Sequence, residues 1–191
     1  MLKKSESVGS ILFVGAGGHA RSLIDIVTLI SSIEEIAVID PKFEAAFFPE
    51  FVKEFPESDL PNLVERFPSS VIGLGISKGL RYRISLCQRV RSLGYRLINI
   101  VHPTAYVSRM ATLGQGVHIF AKSYIGPGAV LSNDVTVNTG AIVEHDAVIE
   151  EGSFICPGAI VCGAARVLPE TIVKAGEIIL PGVVPGRPHR C

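Results

Sequence analysis

The sequence predicts a two-part chain: a small α/β domain with a parallel sheet over residues 1–100, then a parallel β-helix of hexapeptide repeats over residues 101–191. Counting from Val107 in steps of six meets Leu113, Ile119, Ile125 and so on to Ile179, thirteen aliphatic residues without interruption. Two places before each stands a small residue in twelve of the thirteen cases, from Ala105 to Thr171, and only Glu177 departs from the rule. A period of six fits neither the 3.6 of a helix nor the 2 of an ordinary strand, and marks a hexapeptide solenoid. The third observation lies at the other end, where a buried-strand run passes through a glycine turn into a helical pattern.

The N-terminal elements follow in order. Ile11-Leu12-Phe13-Val14 is a short apolar run, and Gly15-Ala16-Gly17-Gly18-His19-Ala20-Arg21 turns the chain. Leu23, Ile24, Ile26, Val27 and Ile30 then recur at helical spacing. A second strand, Ile36 to Ile39, ends at Asp40-Pro41. A helix is expected around Leu60 to Phe67, a third strand at Val71 to Gly75, a helix from Arg83 to Leu93, and a last strand at Leu97 to Ile100. Phe43 to Phe55, with Phe47, Phe48 and Phe51, reads as a packed loop or short helix. Strands alternating with helices give a parallel sheet of Rossmann-like type.

Gly15, Gly17 and Ala20 satisfy the G-x-G-x-x-[G/A] fingerprint, and Asp40 follows Ala20 by twenty residues at the tip of the second strand. A dinucleotide site is the first reading, but the domain lacks a second mononucleotide-binding half. A nucleotide-sugar diphosphate would use the same physics, with backbone N–H groups and the helix dipole meeting phosphate. The glycines could also serve only close strand-to-helix packing. The histidine within the turn favours ligand contact.

In the solenoid each hexad supplies one short strand and a corner, so eighteen residues make one triangular coil and residues eighteen apart stack about 4.8 Å apart. The aliphatic residues point to the axis. His145 stands two places after the inward Val143 and therefore projects from a corner, with Pro127 and Gly163 as its stacking neighbours. Gly163 is expected to leave open space beside the imidazole that a thioester could occupy. A carboxylate next in sequence, Asp146, can fix the tautomer of the ring and stabilise its charged form, as behind many histidine bases.

Composition excludes several classes. Lysine plus arginine equals aspartate plus glutamate at 18 each, with no basic run, which argues against nucleic acid. No apolar stretch reaches the roughly 18 residues of a membrane span, and no signal peptide is read. The four cysteines, Cys87, Cys156, Cys162 and Cys191, have no metal-site spacing and read as reduced thiols of a cytoplasmic protein. His102, His118 and His145 lack a closely spaced pair, so a zinc hydratase of the hexapeptide class does not fit. His102 before Pro103 marks the beginning of the solenoid.

The glycine turn, followed by a solenoid that begins Val101-His102-Pro103-Thr104-Ala105 and carries Val137-Asn138-Thr139-Gly140-Ala141-Ile142-Val143-Glu144-His145-Asp146, resembles one family. It is similar to the bacterial sugar acetyltransferases that act on UDP-4-amino-sugars and sialic acid, over about Ile11 to Gly163. The resemblance implies a left-handed β-helix, a homotrimer with active sites between adjacent subunits, acetyl-CoA as donor, no metal, and an N-terminal domain that holds the acceptor. It implies His145 as general base, Asp146 as the acid that raises its basicity, Gly17, Gly18 and His19 on the nucleotide sugar, and Asp40 at the nucleotide base. The implied acceptor is an amine or hydroxyl of a UDP-4-amino-sugar, a perosamine-like nucleotide sugar or sialic acid, in surface-glycan biosynthesis.

Departures from the pattern are equally specific. Nine residues after the base the family commonly has a histidine on acetyl-CoA, and this chain has Phe154 there. Phe154 and Gly163 are thus the expected cofactor-side positions. Beyond Gly163 the aliphatic residues are followed by Leu168, Lys174 and Leu180 instead of glycine, and the chain ends at Gly186-Arg187-Pro188-His189-Arg190-Cys191. These features point to eroded coils on the donor side and keep open a sugar-binding or scaffold protein that no longer acetylates; a nicotinamide-binding protein leaves the solenoid unexplained. Arg81, six after Gly75, matches an arginine often present in the family, or is a solvated cation at a helix start.

Overall fold

The computed structural model describes residues 9–30, 33–50 and 52–182. Phe51, Cys191 and the tail from Gly186 lie outside the described residues. The chain divides into two compact units after Ile98.

In the first unit β1 (Ile11–Val14), β2 (Ile36–Ile39), β3 (Val52–Glu54), β4 (Ser69–Ile72) and β5 (Arg96–Leu97) form an all-parallel sheet in the order β3-β2-β1-β4-β5. Every residue of β1, β2 and β4 is buried. That is why β1 and β2 read as continuous apolar runs instead of alternating ones, whereas β4, expected at Val71 to Gly75, begins two residues earlier with the buried Ser69 and Ser70, the latter's hydroxyl donating to the Leu12 carbonyl at 2.9 Å. Helix α1 (Gly18–Ile30) buries Ala20, Leu23, Ile24, Ile26 and Val27, and α2 (Leu80–Ser92) buries Leu80, Ile84, Leu86, Cys87 and Val90. Leu12, Val14, Ala37 and Ile39 share a core with Leu60, Phe67, Leu86 and Val90.

Three element expectations are corrected. The helix expected at 60–67 is a 3₁₀ helix at Glu57–Asn62 with Pro61 inside it, and proline removes the N–H that an α-helix would need. β3 is an additional edge strand within the phenylalanine-rich stretch; its Lys53 and Glu54 are exposed, so it carries no apolar run to betray it. The strand expected over Leu97 to Ile100 is two strands. Arg96–Leu97 pairs with Ser69 and Ser70, whereas Ile100–Val101 pairs with His118–Ile119 and opens the solenoid. Asn99 makes the change of partner possible: its side chain accepts from Val117 N at 2.9 Å and donates to the Gly114 carbonyl at 2.7 Å, closing the first coil.

The second unit is a left-handed parallel β-helix with three flat faces. The first face stacks the strands at 106–107, 124–125, 142–143, 160–161 and 178–179; the second those at 112–113, 130–131, 148–149 and 166–167; the third those at 100–101, 118–119, 136–137, 154–155 and 172–173. The interval within each face is the eighteen residues expected. Ile119, Ile125, Leu131, Val137, Val143, Ile149, Ile155, Val161, Val167 and Val173 are fully buried along the axis, with Ala129, Ala141, Ala147, Ala159 and Ala165 between them. From Gly116 to Gly182 the residue three places after each inward aliphatic has positive φ, and five of these corner residues are not glycine: Lys122, Asp134, Asp146, Ala164 and Glu170. The coils past Gly163 are as regular as those before it, with strands paired through Ile178–Ile179. The expected erosion is therefore absent from the backbone, because it is the corner, occupied by Gly176 and Gly182, that needs the left-handed conformation. Glu177 has its own use: its carboxylate accepts from Lys174 N at 2.7 Å and closes the corner itself.

No helix among the described residues is long and apolar enough to cross a membrane.

Candidate functional site

His145 and Asp146 occupy the corner between the strand Ile142–Val143 and the strand Val148–Ile149. Asp146 has φ 58°, a conformation that aspartate adopts more readily than most residues. Its N–H donates to the Pro127 carbonyl at 3.0 Å, and Ala164 N donates to the His145 carbonyl at 2.9 Å, so the corner is pinned from both neighbouring coils. His145 Nδ1 lies 2.9 Å from Asp146 Oδ2, and both side chains remain largely exposed, at 60% and 67%. A carboxylate can only accept here, so in the neutral ring this contact puts the proton on Nδ1 and the lone pair on Nε2.

Three glycines make this arrangement possible. A side chain at Gly126 would come within 2.7 Å of His145 N, one at Gly128 would collide with Asp146 Oδ1, and one at Gly163 would reach within 2.5 Å of His145 Nε2. Gly163 was expected to hold a gap for a thioester. That expectation is corrected: the imidazole itself lies in the space that a side chain at 163 would fill. Gly126 and Gly128 were missed, although both sit eighteen residues before the pair Glu144 and Asp146 and could have been found by that spacing.

Phe154 lies on the third face, in the strand Phe154–Ile155, and is 6% exposed. Its neighbours along that face, His118 and Thr136, are buried as well. One chain thus does not bring Phe154 and His145 together, and it presents no open ring at 154 for a cofactor. His102 Nδ1 meets the Thr104 hydroxyl at 2.9 Å. Among the described residues no group of three or more histidine, cysteine, aspartate or glutamate side chains is placed to hold a metal ion. Cys87, Cys156 and Cys162 are free thiols, and burial followed by the nearby Glu177 carboxylate pushes the Cys156 thiol up.

In the first unit the turn after β1 is built on close approach. Gly15 has φ 102°, and a side chain on it would strike Leu74 at 2.8 Å; one on Gly73 would collide with the Gly15 carbonyl and come within 2.8 Å of Ala20 Cβ. Gly17 and Gly18 are exposed, and nothing stands within 4 Å of a side chain built on Gly17. Arg21, one turn into α1, reaches back to within 3.7 Å of a side-chain position at Gly18 and stacks on Phe47 at 4.9 Å. Asp40 is engaged by the backbone: Oδ2 accepts from Ala16 N and Oδ1 from Lys42 N, both at 2.8 Å. It ties the glycine turn to the end of β2, and a cleft bordered by Gly15, Asp40, Pro41, Leu74, Lys78 and Tyr82 opens beside it. This is the crevice at the carboxyl ends of the strands where the sheet order reverses, the usual ligand position in such sheets.

His19 is half-buried in the first turn of α1 and packs on Gly75 with contacts of 3.6–4.0 Å to a side-chain position there. Burial, then the positive charge of Arg83, pushes its pKa down to about 3, so the ring is neutral near pH 7. Arg83 was missed in favour of Arg81, which is exposed. Arg83 is 1% exposed, and its Nε donates to the Leu74 carbonyl at 3.1 Å. The available signal was periodicity, since Leu80, Arg83, Ile84 and Cys87 form one helical stripe in which the arginine is the only charge.

An α/β domain with a glycine turn at the switch point, joined to a left-handed β-helix with a histidine–aspartate corner, defines the class of two-domain hexapeptide-repeat acyltransferases. Residues 10–81 match the PglD N-terminal domain family. The acetyltransferase domain of PglB from Neisseria gonorrhoeae FA1090, solved in complex with acetyl coenzyme A, is similar at 28% identity and TM-score 0.80, covering 88% of this chain and 80% of that one. A mutant of perosamine N-acetyltransferase from Caulobacter crescentus, solved with CoA and GDP-perosamine, is similar at 27% identity and TM-score 0.63, covering 92% and 90%. WeeI from Acinetobacter baumannii AYE shares the fold, at 17% identity and TM-score 0.53. No curated protein sequence matches the chain. The chain is thus similar to bacterial sugar acetyltransferases in both of its units.

Proposed function

We propose that this protein transfers the acetyl group of acetyl-CoA to an amine or hydroxyl of a sugar, with His145 as the general base. The observation that carries the reading is the His145–Asp146 pair at 2.9 Å on an exposed corner, with Nε2 left as the basic nitrogen. Support comes from two relatives whose structures contain acetyl-CoA or CoA, one of them with GDP-perosamine. In the reaction Nε2 removes a proton from the acceptor as its nitrogen or oxygen attacks the thioester carbonyl. The carbon–sulfur bond then breaks, and the imidazolium returns the proton to the departing thiolate. Asp146 stabilises the imidazolium between the two transfers. The products are the acetylated sugar and free CoA, with no covalent enzyme intermediate.

The acceptor is assigned to the first unit, as a nucleotide sugar with its diphosphate at Gly17 and Gly18, its sugar beside His19 and its base towards Asp40. Open backbone at the start of a helix of thirteen residues suits a phosphate. A nucleotide-linked amino sugar is favoured over free sialic acid, because the exposed glycines have no other evident use. The functional unit is assigned as a homotrimer, acting in the cytoplasm where both substrates are made. Supporting the oligomer, the outward residues of the first face are Tyr106, Tyr124, Ile142, Ile160 and Ile178, an apolar row on which Tyr106 and Ile178 are more than half exposed.

Calorimetric titration with acetyl-CoA, paired with CoA release in the presence of UDP-4-amino-sugars, tests the reading. Micromolar binding with release that disappears in His145→Ala supports it. Absence of acetyl-CoA binding would overturn it in favour of a sugar-binding protein without transferase activity.

A further inference from the structure

The crevice at the ends of β1 and β2 has an apolar floor and a charged rim. Ile39, Leu60 and Leu86 line it and are buried, whereas Glu57, Lys78 and Tyr82 border it as exposed side chains. The rim is assembled from separate parts of the chain. Glu57 opens the 3₁₀ helix at Glu57–Asn62, which Leu60 anchors in the core; Lys78 stands just before α2, and Tyr82 lies in the first turn of that helix. Tyr82, Leu86 and Arg89 follow one another on one side of α2, at positions i, i+4 and i+7. This side meets the 3₁₀ helix, where Arg89 Nη1 donates to Glu57 Oε1 at 2.8 Å. Arg89 itself does not line the crevice, so the ion pair steadies the Glu57 carboxylate and leaves Oε2 for a ligand. Lys78 Nζ stands 5.6 Å from the centre of the Tyr82 ring, and an ammonium with three donors keeps donors to spare beside such a contact.

An apolar floor bordered by an aromatic ring, a carboxylate and an ammonium suits a flat heterocycle with polar edges. The common bases differ in what those edges offer a carboxylate. Guanine presents two adjacent N–H groups, on N1 and N2, with the O6 carbonyl beside them. Uracil presents a single N–H between two carbonyl oxygens, and adenine and cytosine present an amino group beside a ring nitrogen whose lone pair a carboxylate repels. We propose that this end of the crevice selects guanine: Glu57 accepts from the two N–H groups, Lys78 donates to O6, and the Tyr82 ring lies alongside the base. The acceptor is then an amino sugar linked to guanosine diphosphate. The proposal deepens the function proposed above and rests on its placement of the nucleotide in the crevice. Asp40 has a different part, since each of its oxygens already accepts a backbone N–H at 2.8 Å. Its remaining lone pairs suit a ribose hydroxyl, and the choice of base falls to Glu57.

Calorimetric titration of the full chain with GDP, UDP, ADP and IDP tests the proposal, because the four share a diphosphate and ribose and differ only in the base. GDP should bind about tenfold or more tightly than UDP or ADP, and IDP, which is GDP without the N2 amino group, should fall between them. Glu57→Gln, an exposed and nearly isosteric change, should remove most of this preference by weakening GDP while UDP changes little. Arg89→Gln breaks the same ion pair from outside the crevice and should retain the preference. Lys78→Met should weaken GDP and UDP together, since both bases offer a carbonyl oxygen. Equal affinities for GDP and UDP in the native protein, a preference for UDP, or a GDP preference that survives in Glu57→Gln overturns the proposal and leaves the nucleotide in the crevice. So does a loss of GDP and UDP binding in equal measure in Glu57→Gln, which would make Glu57 a structural residue, or an unchanged GDP affinity in Lys78→Met. Failure of all four nucleotides to bind the native protein overturns the proposal together with the placement on which it rests.

Discussion

At the scale of single residues, the site depends on what is missing as much as on what is present. Gly163 is required because the His145 ring lies where its side chain would be, so Gly163→Ala should displace the ring. The expected outcome is a fall in kcat of about 10²-fold or more, approaching that of His145→Ala, with the melting temperature little changed. Steady-state kinetics beside a thermal melt checks this, and native kcat in Gly163→Ala would contradict the geometry. Asp146→Asn should lower kcat with a smaller effect on the acceptor KM, since it removes support for the imidazolium and not a contact with substrate. His145 and Asp146 were legible in the sequence because they are adjacent and placed by the period. Arg83 was not, since its effect on His19 crosses 64 residues of chain and exists only after α2 packs on the sheet. His19 also yields a stability prediction. Its folded pKa is depressed from 6.5 to about 3, so the unfolded chain binds the extra proton between those values. The histidine therefore contributes stability above pH 6.5 that is lost as pH falls towards 3, and His19→Gln should flatten this part of the stability curve measured by denaturant titration.

At the scale of elements, the corners of the solenoid carry the conformational strain. Ala164 is at φ 57° with no side-chain polar group to compensate, directly after Gly163 and one coil beyond Asp146. Left-handed backbone costs an L-residue roughly 1–2 kcal/mol, and the greater freedom of glycine in the unfolded chain returns part of any gain. Ala164→Gly should thus stabilise the protein by about 0.5–1 kcal/mol, read as a higher denaturant midpoint at unchanged slope. A fall in stability would mean that the alanine methyl group contributes packing that outweighs its backbone strain. The solenoid strands were legible because a six-residue period survives every substitution at the corners. The boundary near residue 98 was less so: Leu97 and Ile100 are both apolar with only two residues between them, and it takes the strand pairing of the folded chain, with the side-chain hydrogen bonds of Asn99, to reveal that they belong to different sheets. β3 was invisible for a related reason, as an edge strand with Lys53 and Glu54 exposed needs no apolar alternation.

At the scale of the whole molecule, the outward apolar row Tyr106, Tyr124, Ile142, Ile160 and Ile178, exposed at its two ends and half-buried between them, sets the expected assembly. A charge in its middle, Ile142→Lys, should convert the proposed trimer to a smaller species by sedimentation equilibrium and abolish transfer together with it; a trimer that survives unchanged would place the contact elsewhere. The periodic backbone has a consequence for editing the chain. An insertion of eighteen residues after Gly152 adds one full coil, and an insertion of six adds only one side of the triangle. Either one separates Gly163 from His145, but in different ways. The longer insertion keeps every later strand on its original side and displaces it along the axis by about 4.8 Å. The shorter one turns everything beyond it by a third of a revolution, so the apolar row would be cut and resumed on another side. The solenoid therefore has a phase as well as a length, and evolution can lengthen it freely only in whole turns placed clear of the 126–163 window.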